Sequence, residues 1–255
     1  MKESDIRPQG LMDEYVRLAA KDAKEIFNGQ KQFEIPCPAC ASSKKSFEFS
    51  KSGFDYVSCN ACSSLYQNPR PPEDAFRQFY SNSPSSKFWA EKFFPTVAEA
   101  RRELIFKPRI DQLAQLCEKK DLIPEIVIDI GAGYGIFLEE WKKLFPETRC
   151  IAVEPEKNMA ETCRNKGLEV VEAFAEHVDS YVGIADLTVC FEVFEHVYNP
   201  IDFLRILGDF TRQGGYLMIS TLGVDGFDIQ VLWESSSSVS PPHHINFLSV
   251  EGFKA

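Results

Sequence analysis

Four cysteines in this sequence have the spacing of a metal site. They form two C-x-x-C pairs, Cys37 with Cys40 and Cys59 with Cys62, which are separated by 18 residues. Each pair, held in a tight turn, presents two thiolates to one ion, and two such turns complete a tetrahedron. The spacing therefore predicts a structural zinc site without an open position for chemistry. A redox dithiol and a chance spacing are the alternatives.

A glycine-rich segment follows an apolar run in the middle of the chain. Ile126–Ile130 has the composition of a strand buried on both faces, and Gly131, Gly133 and Gly135 come after it. A glycine turn between a strand and a helix lets a ligand approach the backbone at the carboxyl end of the strand. The spacing departs from the dinucleotide pattern G-x-G-x-x-G, because Ile136 stands where the third glycine would fall.

The elements that must position this loop alternate between strand and helix from residue 121 onward. Apolar runs rich in β-branched residues predict four further strands, and such alternation builds a parallel sheet. These strands are predicted at Cys150–Val153, Leu168–Val171, Leu187–Cys190 and Gly214–Ser220. The predicted fold class is α/β, with a doubly wound, Rossmann-like and mostly parallel sheet.

The residues before 121 add a helix, a ribbon and a helical connector. Short strands on either side of Gly53 predict a hairpin within the ribbon, and Ser81–Ser86, Pro95 and Pro108 predict breaks in the connector. The predicted domains are an N-terminal helix (1–35), a zinc ribbon (36–72), a helical connector or lid (73–120) and a cofactor-binding domain (121–255). The ribbon is too small to bury a core of its own, so metal binding would supply its folding energy.

Composition and charge exclude several classes of protein. The chain carries a net charge of −10, with 44% hydrophobic and 26% charged residues, which is ordinary for a globular protein and unlike a disordered one. Binding to a phosphate backbone favours a basic surface, so nucleic acid is disfavoured as the main partner and a small molecule is favoured. The sequence lacks both an apolar run of ~20 residues and the apolar stretch of a signal peptide. We therefore expect a cytoplasmic protein, and the sequence leaves its oligomeric state open.

The glycine loop resembles a known family. D-x-G-x-G-x-G is the pattern of class I S-adenosylmethionine-dependent methyltransferases, and FEVFEHVYNP is similar to a segment shared by ubiquinone-pathway O-methyltransferases and sugar methyltransferases. The resemblance implies S-adenosylmethionine as the cofactor, with Glu154 accepting hydrogen bonds from its ribose hydroxyls, although a nicotinamide enzyme could use the same acid. The implied cofactor-binding residues are Asp129, Gly131, Ala132, Gly133, Gly135, Glu154, Phe174, Ala175, Phe191 and Glu192.

The combination of a ribbon with this cofactor domain is similar to methyltransferases of sugar and polysaccharide biosynthesis. CNACSSLYQNPRPPEDAFRQFYSN and PPHHINFLSVEGF carry this likeness, which implies a sugar acceptor, either nucleotide-linked or within a glycan. Two departures stand out. The C-methylating members have a Glu–His pair where this chain has His243–His244, and the sequence stops at Ala255, before the family's last helix and strands. The second departure predicts an open sheet edge.

Methyl transfer to a hydroxyl also needs a group that removes the acceptor's proton. Histidine is suited to this near neutral pH. The register with the family implies His244 as the base, with His196 as a second candidate and Tyr80 near the substrate. Helix capping is the alternative for His196, aromatic packing for Tyr80, and a structural tie to Asp225 or Asp228 for the imidazoles of the loop.

Two acids beside His196 have the chemistry of metal ligands. Glu192 and Glu195 could hold a cation together with His196. Acidic residues at the start of a helix are also favoured by the helix dipole without any ion. The sequence does not choose between the two.

Four functions remain compatible with these motifs. The first is methylation of a sugar, and the second is O-methylation of a small phenolic or quinone acceptor. Methylation of ribosomal RNA is the third, which the net charge of −10 disfavours. The fourth is a non-catalytic, cofactor-binding assembly module.

Overall fold

The computed structural model describes residues 2–255, which form two compact units. The first comprises residues 2–18, 84–191 and 205–219, and the second residues 19–83, 192–204 and 220–255. Each unit is therefore assembled from segments that are far apart in the sequence. The domain boundaries given above remain predictions about the linear order of the motifs.

The structure contains nine named strands and eleven α-helices within the described residues. The strands are β1 (Lys45–Lys51), β2 (Phe54–Cys59), β3 (Leu65–Gln67), β4 (Ile126–Ile130), β5 (Arg149–Val153), β6 (Glu169–Val171), β7 (Ala185–Phe191), β8 (Thr211–Ser220) and β9 (Asn246–Phe247). The helices are α1 (Glu3–Ile6), α2 (Gln9–Phe27), α3 (Glu73–Asn82), α4 (Pro84–Phe88), α5 (Phe94–Arg101), α6 (Lys107–Lys119), α7 (Ile136–Leu144), α8 (Lys157–Asn165), α9 (Pro200–Phe210), α10 (Phe227–Leu232) and α11 (Val250–Lys254). None of these helices is both long and apolar enough to cross a membrane.

The first unit is built on a five-stranded sheet in the order β6-β5-β4-β7-β8. β4 pairs in parallel with β5 and β7, and β5 pairs in parallel with β6. Val127 and Ile128 of the central strand are fully buried, because helices of an α/β fold cover both faces of such a sheet. The predicted α/β class and mostly parallel sheet are confirmed.

β6 and β8 are the two edge strands of this sheet within the described residues. None of the ten residues of β8 is buried. An edge strand leaves part of its backbone N–H and C=O groups without strand partners.

The helical path of the connector differs from the prediction at its prolines. A break falls at Ser83, as expected, but the expected breaks at Pro95 and Pro108 are wrong. Each proline is the second residue of an α-helix that directly follows a π-helical turn, Trp89–Phe93 or Arg102–Phe106. Proline has no N–H to donate at this position, and the wider π-turn before it lets the chain continue as a helix.

The second unit contains a four-stranded sheet in the order β1-β2-β3-β9. β1 and β2 form the predicted hairpin, and Ser52 and Gly53 have positive φ at its turn. β3 pairs with β2 on one side and with the distant β9 on the other, where Leu65 lies opposite Phe247. The cysteine ribbon and the loop after the fifth strand of the parallel sheet thus belong to one sheet.

A buried arginine joins the segments of this second unit. Arg70 is fully buried, and its guanidinium donates to the carbonyl oxygens of Gln67 (2.9 Å), Tyr198 (2.8 Å) and Ile245 (3.0 Å). Burial lowers the pKa of Arg70 to about 10, which leaves it charged at neutral pH. A buried charge is tolerated when its donors are satisfied, and here the acceptors come from three separate stretches of chain.

Candidate active site

The residues predicted to bind a cofactor in the first unit follow the ends of its parallel strands. Asp129 lies near the end of β4 and Glu154 directly follows β5, while Phe174 comes shortly after β6. Because β4, β5 and β6 run in parallel, their carboxyl ends lie at the same end of the sheet. Ligands of open α/β sheets bind beyond these carboxyl ends, so the three residues share one candidate site.

The glycine loop between β4 and α7 adopts backbone conformations that favour glycine. Gly131, Gly133 and Gly135 have φ of 74°, 56° and 63°. The N–H groups of Gly131 and Ala132 donate to the carbonyl oxygen of Val153, at 2.8 and 3.2 Å, which fixes the loop to the end of β5. The glycines at these positions permit this turn, since residues with a Cβ rarely adopt such φ values.

The second and third glycines of this loop have different surroundings. A Cβ at Gly133 would meet nothing within 4 Å, whereas a Cβ at Gly135 would lie 2.7 Å from Leu168 Cδ1 and 2.8 Å from Cys163 Sγ. Gly135 therefore permits close packing of the loop inside the first unit. Gly133 instead leaves open space beside the backbone, as a bound ligand would require.

We expect Gly135→Ala to destabilise the protein more than Gly133→Ala. Both changes put alanine in the left-handed region, which costs about 1–2 kcal/mol. Gly135→Ala adds overpacking against Leu168 and Cys163, which costs about 1–3 kcal/mol more. The free energy of unfolding from urea titration measures both, with Gly133→Ala as the matched control. Equal losses would contradict the packing role of Gly135.

Two buried carboxyl groups flank the loop. Glu154 is 6% exposed, and its two oxygens accept from the N–H groups of Gly133 (2.7 Å) and Glu156 (2.8 Å). Burial raises the pKa of Glu154 to about 7, although these two hydrogen bonds oppose the rise. Burial and the charge of Glu154 raise the pKa of Asp129 to about 8. Such carboxyl groups gain from a ligand that donates hydrogen bonds or carries positive charge.

The apolar residues predicted to contact the cofactor differ in how deeply they are buried. Phe174 is half-buried, and Ala175 is buried at the start of a short 3-10 helix. Phe191 at the end of β7 is 8% exposed, with its ring 5.0 Å from that of Phe137 and 4.5 Å from the guanidinium carbon of Arg109. Phe191 therefore packs in the core of the first unit, where it supports the strand end.

A second constellation, of histidines, lies in the second unit. His196 Nδ1 is 2.8 Å from the carbonyl oxygen of His243, and the Tyr80 hydroxyl donates to the same oxygen at 2.7 Å. Tyr80 also lies 3.3 Å from His196 Nδ1. A carbonyl oxygen only accepts, so Nδ1 of His196 carries the proton and its Nε2 has a lone pair in the neutral ring. The structure brings the predicted residues Tyr80 and His196 together.

His244 is oriented in the same way by a different carbonyl. Its Nδ1 lies 2.5 Å from the carbonyl oxygen of Ser238, so the neutral ring again keeps a lone pair on Nε2. The rings of His196 and His244 are 4.8 Å apart. Asp225 accepts from the backbone N–H of Val250, and Nδ1 of His244 is engaged by the carbonyl oxygen of Ser238.

The two adjacent histidines of this loop differ in exposure. His243 is 6% exposed and packs edge-on against Phe79 at 4.6 Å, whereas His244 is half-buried. Burial, followed by the neighbouring His196 and His244, lowers the pKa of His243 well below its usual range. His243 is therefore a neutral packing residue whose backbone oxygen orients Tyr80 and His196.

The acids after β7 also belong to the second unit. Glu192 accepts from the Ser220 hydroxyl at 2.8 Å, and its N–H donates to the Ser220 carbonyl at 2.8 Å. Glu195 is 1% exposed and accepts from the Thr221 hydroxyl at 2.7 Å. Burial raises the pKa of Glu195. The structure thus places Glu195, rather than Glu192, in the cluster that contains His196 and His244.

The four cysteines of the ribbon converge in the second unit. Their Sγ atoms all lie within 4.8 Å of one another, with 3.6 Å between Cys37 and Cys62 and 3.5 Å between Cys40 and Cys59. A tetrahedral zinc ion with bonds of about 2.3 Å would place its sulfurs about 3.8 Å apart. Burial raises the pKa of Cys59, but hydrogen bonds from the N–H groups of Cys62 and Ala61 and from the thiols of Cys40 and Cys37 outweigh it and lower the pKa to about 7. The donor set fits a four-thiolate ion.

Comparison with known sequences identifies the family. A family model described as a methyltransferase domain matches residues 97–255, which is more than half of the chain. The chain belongs to this methyltransferase family. The residues matched include the glycine loop, the strand ends and both histidine segments.

Individual relatives are more distant. The methyltransferase is 28% identical over 118 residues to a ubiquinone biosynthesis O-methyltransferase of Xanthomonas oryzae, covering 44% of this chain and 48% of that protein. A protein of the same description from Vibrio parahaemolyticus is 28% identical over 119 residues, covering 44% and 50%. The chain thus spans about half the length of the curated relatives it matches.

The fold has a solved counterpart. The plantazolicin methyltransferase BpumL, solved with S-adenosylhomocysteine, superposes with a TM-score of 0.51 over 70% of this chain and 64% of that one. At 17% identity this likeness concerns the fold alone. It agrees with the parallel sheet described above.

Three site features had no sequence signal. The backbone oxygens of Ser238 and His243 orient the two imidazoles, and the Thr221 hydroxyl binds the carboxylate of Glu195. Backbone carbonyls are common to all residues, so no residue type marks them. The E-x-x-E-H segment did indicate Glu195, but not that His244 would join it.

Proposed function

We propose that this methyltransferase uses S-adenosylmethionine, bound in the first unit at the carboxyl ends of its strands. The observation that carries the proposal is the open space at Gly133 beside the buried, hydrogen-bonding carboxylate of Glu154. The residues that would hold the cofactor are Asp129, Gly131, Ala132, Gly133, Gly135, Glu154, Phe174 and Ala175. Phe191, the last residue of β7, and Glu192, directly after it, are proposed as further contacts of the cofactor.

S-adenosylmethionine supplies a methyl group that is already activated by its positive sulfonium. The residues of this chain therefore need only bind the cofactor and the acceptor, align them, and remove a proton from the acceptor. The carboxylate of Glu154 would accept from the ribose hydroxyls, and the negative charges of Glu154 and Asp129 would suit a cationic ligand. Bringing such a ligand to these carboxyls would lower their raised pKa values.

We expect Glu154→Ala to weaken binding of the cofactor. Losing hydrogen bonds to a charged group costs about 1.5–3 kcal/mol, which corresponds to about a 10- to 100-fold rise in Kd. Calorimetry with S-adenosylhomocysteine measures this, with Glu147→Ala as the control, because Glu147 is an exposed acid that precedes β5, at the opposite end of the strand from Glu154. Unchanged affinity in Glu154→Ala, or a preference of the wild type for NAD, would contradict the proposed site.

On the acceptor side, we propose that His244 takes the hydroxyl proton as the methyl group is transferred. The acceptor's O–H bond would break with its proton passing to Nε2 of His244, and the oxygen would bond to the methyl carbon as the carbon–sulfur bond breaks, its electron pair staying on sulfur to leave S-adenosylhomocysteine. His196 offers a second lone pair of the same kind, and the Tyr80 hydroxyl positions the ring of His196 through the carbonyl of His243. The support is that both Nδ1 atoms are engaged by carbonyl oxygens, which leaves Nε2 as the basic atom in each ring.

A sugar is the proposed acceptor, either nucleotide-linked or in a glycan. The ribbon and the histidine loop share one sheet through the pairing of β3 with β9. This agrees with the resemblance to the ribbon-containing methyltransferases of sugar and polysaccharide biosynthesis. A sugar hydroxyl is a weak acid, so it requires a base of the kind that His244 provides.

O-methylation of a small phenolic or quinone acceptor is the second candidate. The curated relatives from Xanthomonas oryzae and Vibrio parahaemolyticus are named for ubiquinone biosynthesis. The two candidates separate in an assay of labelled S-adenosylmethionine with a panel of nucleotide sugars, oligosaccharides and catechols. Transfer to a sugar hydroxyl is the expected result, and transfer to catechols alone would replace the first candidate with the second.

The ribbon is proposed to hold a structural zinc ion. Four thiolates fill the coordination sphere, so the ion would stabilise the fold and leave catalysis to other groups. The distances between the Sγ atoms support this assignment. Cys37, Cys40, Cys59 and Cys62 are the proposed ligands.

A further inference from the structure

A pocket of the second unit lies beside the cysteine ribbon. Its volume is about 350 Å³, at the lower end of the range of about 300–1,000 Å³ that small-molecule sites cover. The described residues that line it belong to two stretches, 58–63 and 224–233, both of which are part of the second unit. They include none of the residues assigned above to the cofactor or to the acceptor's reacting hydroxyl. The pocket is therefore a candidate site for a different part of a ligand.

Two amide side chains of the pocket are held in fixed orientations. Oδ1 of Asn60 accepts from the Ser46 hydroxyl at 2.9 Å, which leaves the NH2 group of Asn60 as a donor. Nε2 of Gln230 donates to the carbonyl oxygen of Val224 at 2.8 Å, which leaves Oε1 of Gln230 as an acceptor. The pocket therefore offers one amide donor and one amide acceptor to a ligand.

The charge of the pocket selects between two kinds of ligand. Asp225 lines it, and its Oδ2 accepts from Val250 N–H at 2.8 Å, so Oδ1 can accept a further hydrogen bond. Among the described lining residues there is no lysine, arginine or histidine. A phosphate group would meet the carboxylate of Asp225 without a compensating cation, and like charges repel. Hydroxyl groups of an uncharged sugar both donate and accept, so they match this set of side chains.

Trp233 supplies the pocket with an aromatic surface. The residue is half-buried, and its ring stands nearly perpendicular to that of Phe49, with 5.8 Å between the ring centroids. The backbone of Trp233 has φ 48° and ψ −120°, a left-handed conformation that a bulky residue rarely adopts. Such residues persist only where the surrounding structure fixes them, and they cluster at ligand sites. An indole held in this way offers a flat apolar surface to the C–H face of a sugar ring.

The chain leads from this pocket to the loop of the histidines. Trp233 begins the short 3-10 helix Trp233–Ser235, and Ser238 follows five residues after Trp233. The carbonyl oxygen of Ser238 lies 2.5 Å from Nδ1 of His244. Five residues span at most about 18 Å, which is a distance that a short oligosaccharide covers. One glycan can therefore reach both the pocket and His244.

We propose that this pocket holds a neutral sugar unit of the acceptor other than the unit that is methylated. The inference rests on the proposed function, because it takes a sugar as the acceptor, and it narrows that acceptor from nucleotide-linked sugars to glycans. In a neutral glycan the neighbour of the methylated unit is another uncharged sugar, which the two amides, Asp225 and Trp233 suit. In a nucleotide-linked sugar the neighbour is a diphosphate, which Asp225 would repel.

The test measures the binding of neutral oligosaccharides to the full-length protein by calorimetry. The probes are the trimers of glucose, mannose, galactose and N-acetylglucosamine, each compared with its own monosaccharide. At least one trimer should bind at least about 10-fold more tightly than its monosaccharide, because the pocket adds several hydrogen bonds to those of the methylated unit. UDP, as a soluble diphosphate, should not displace that trimer.

Gln230→Ala and Trp233→Ala each remove one side chain of the pocket. Both should raise the Kd of the bound trimer by about 10-fold, whereas the Kd for S-adenosylhomocysteine should stay that of the wild type. Phe227→Ala is the matched control, because Phe227 belongs to α10 like Gln230, is 84% exposed and is not among the lining residues. Gln230 is exposed, so Gln230→Ala is expected to keep the fold and decides the test if Trp233→Ala is unstable.

Three results would each overturn the proposal: trimers that bind no more tightly than their monosaccharides, displacement of the trimer by UDP, or unchanged affinity in the pocket variants. The proposed function is measured separately by transfer of the labelled methyl group. Methylation of a monosaccharide as efficiently as of its trimer would reject the pocket alone. Transfer to catechols alone would reject the sugar acceptor together with the pocket.

Discussion

Replacing one ligand of the cysteine site, in Cys59→Ser, is expected to abolish zinc binding and to unfold the ribbon. Structural zinc contributes about 10–16 kcal/mol to the folding of zinc-finger peptides, which is comparable to or larger than the whole stability of a typical domain. The site joins Cys37 and Cys40 to the end of β2 and the turn after it, so its loss frees several segments at once. Elemental analysis should fall from about one equivalent per chain to none, and the melting temperature should fall with it.

Cys117→Ser provides the matched control for this experiment. Cys117 is a buried cysteine of α6 in the first unit, far from the C-x-x-C pairs in sequence. Its substitution should leave the zinc content unchanged and reduce stability only through local packing. Purified wild-type protein that holds no metal, and instead has a disulfide between Cys37 and Cys40, would show that the redox interpretation is correct.

Removing the imidazole of His244 is expected to have the second large effect. Loss of a general base typically lowers turnover by ~10²–10⁴. In His244→Ala, kcat should fall by this factor with the acceptor found in the panel, while the Kd for S-adenosylhomocysteine stays constant, because the proposed cofactor residues other than Glu192 belong to the first unit. Stopped assays with labelled cofactor measure the first quantity and calorimetry the second.

The controls for His244 separate catalysis from packing. His177→Ala should retain turnover, whereas His243→Ala should chiefly lower the melting temperature, since His243 is buried against Phe79. Wild-type turnover in His244→Ala would transfer the role of base to His196.

Local pattern was sufficient to predict the parallel sheet. The apolar run Ile126–Ile130 has the same bounds as β4. A run rich in β-branched residues predicts a strand that is covered on both faces. The hairpin around Gly53 and the turn after β4 were also predictable, because positive φ values favour glycine. By contrast, Pro95 and Pro108 gave a wrong signal, since the rule that proline ends a helix assumes regular α-helical turns before it.

Features built from segments that are distant along the chain could not be predicted from the sequence. β9 has two residues, too few for any alternation to show, and its partner β3 lies far earlier in the chain. The approach of His244 to Glu195 and His196 depends on that pairing and on the hydrogen bond from Ile245 to Glu195, and neither leaves a local mark. The resemblance to a family supplied the residue types of the site, and tertiary structure was needed to show which of them meet.

The pairing of β3 with β9 has a consequence for synthesis of the chain. Leu65 must wait for Phe247, about 180 residues later, which takes ~10–40 s on a ribosome that adds ~5–20 residues per second. During that interval the four cysteines have already left the ribosome and could bind the proposed zinc ion. β3 still has an unpaired edge, which is a surface prone to aggregation. Until β9 is synthesised, β3 can pair only with β2. A chaperone that covers strand edges during synthesis is therefore expected to raise the yield of native protein.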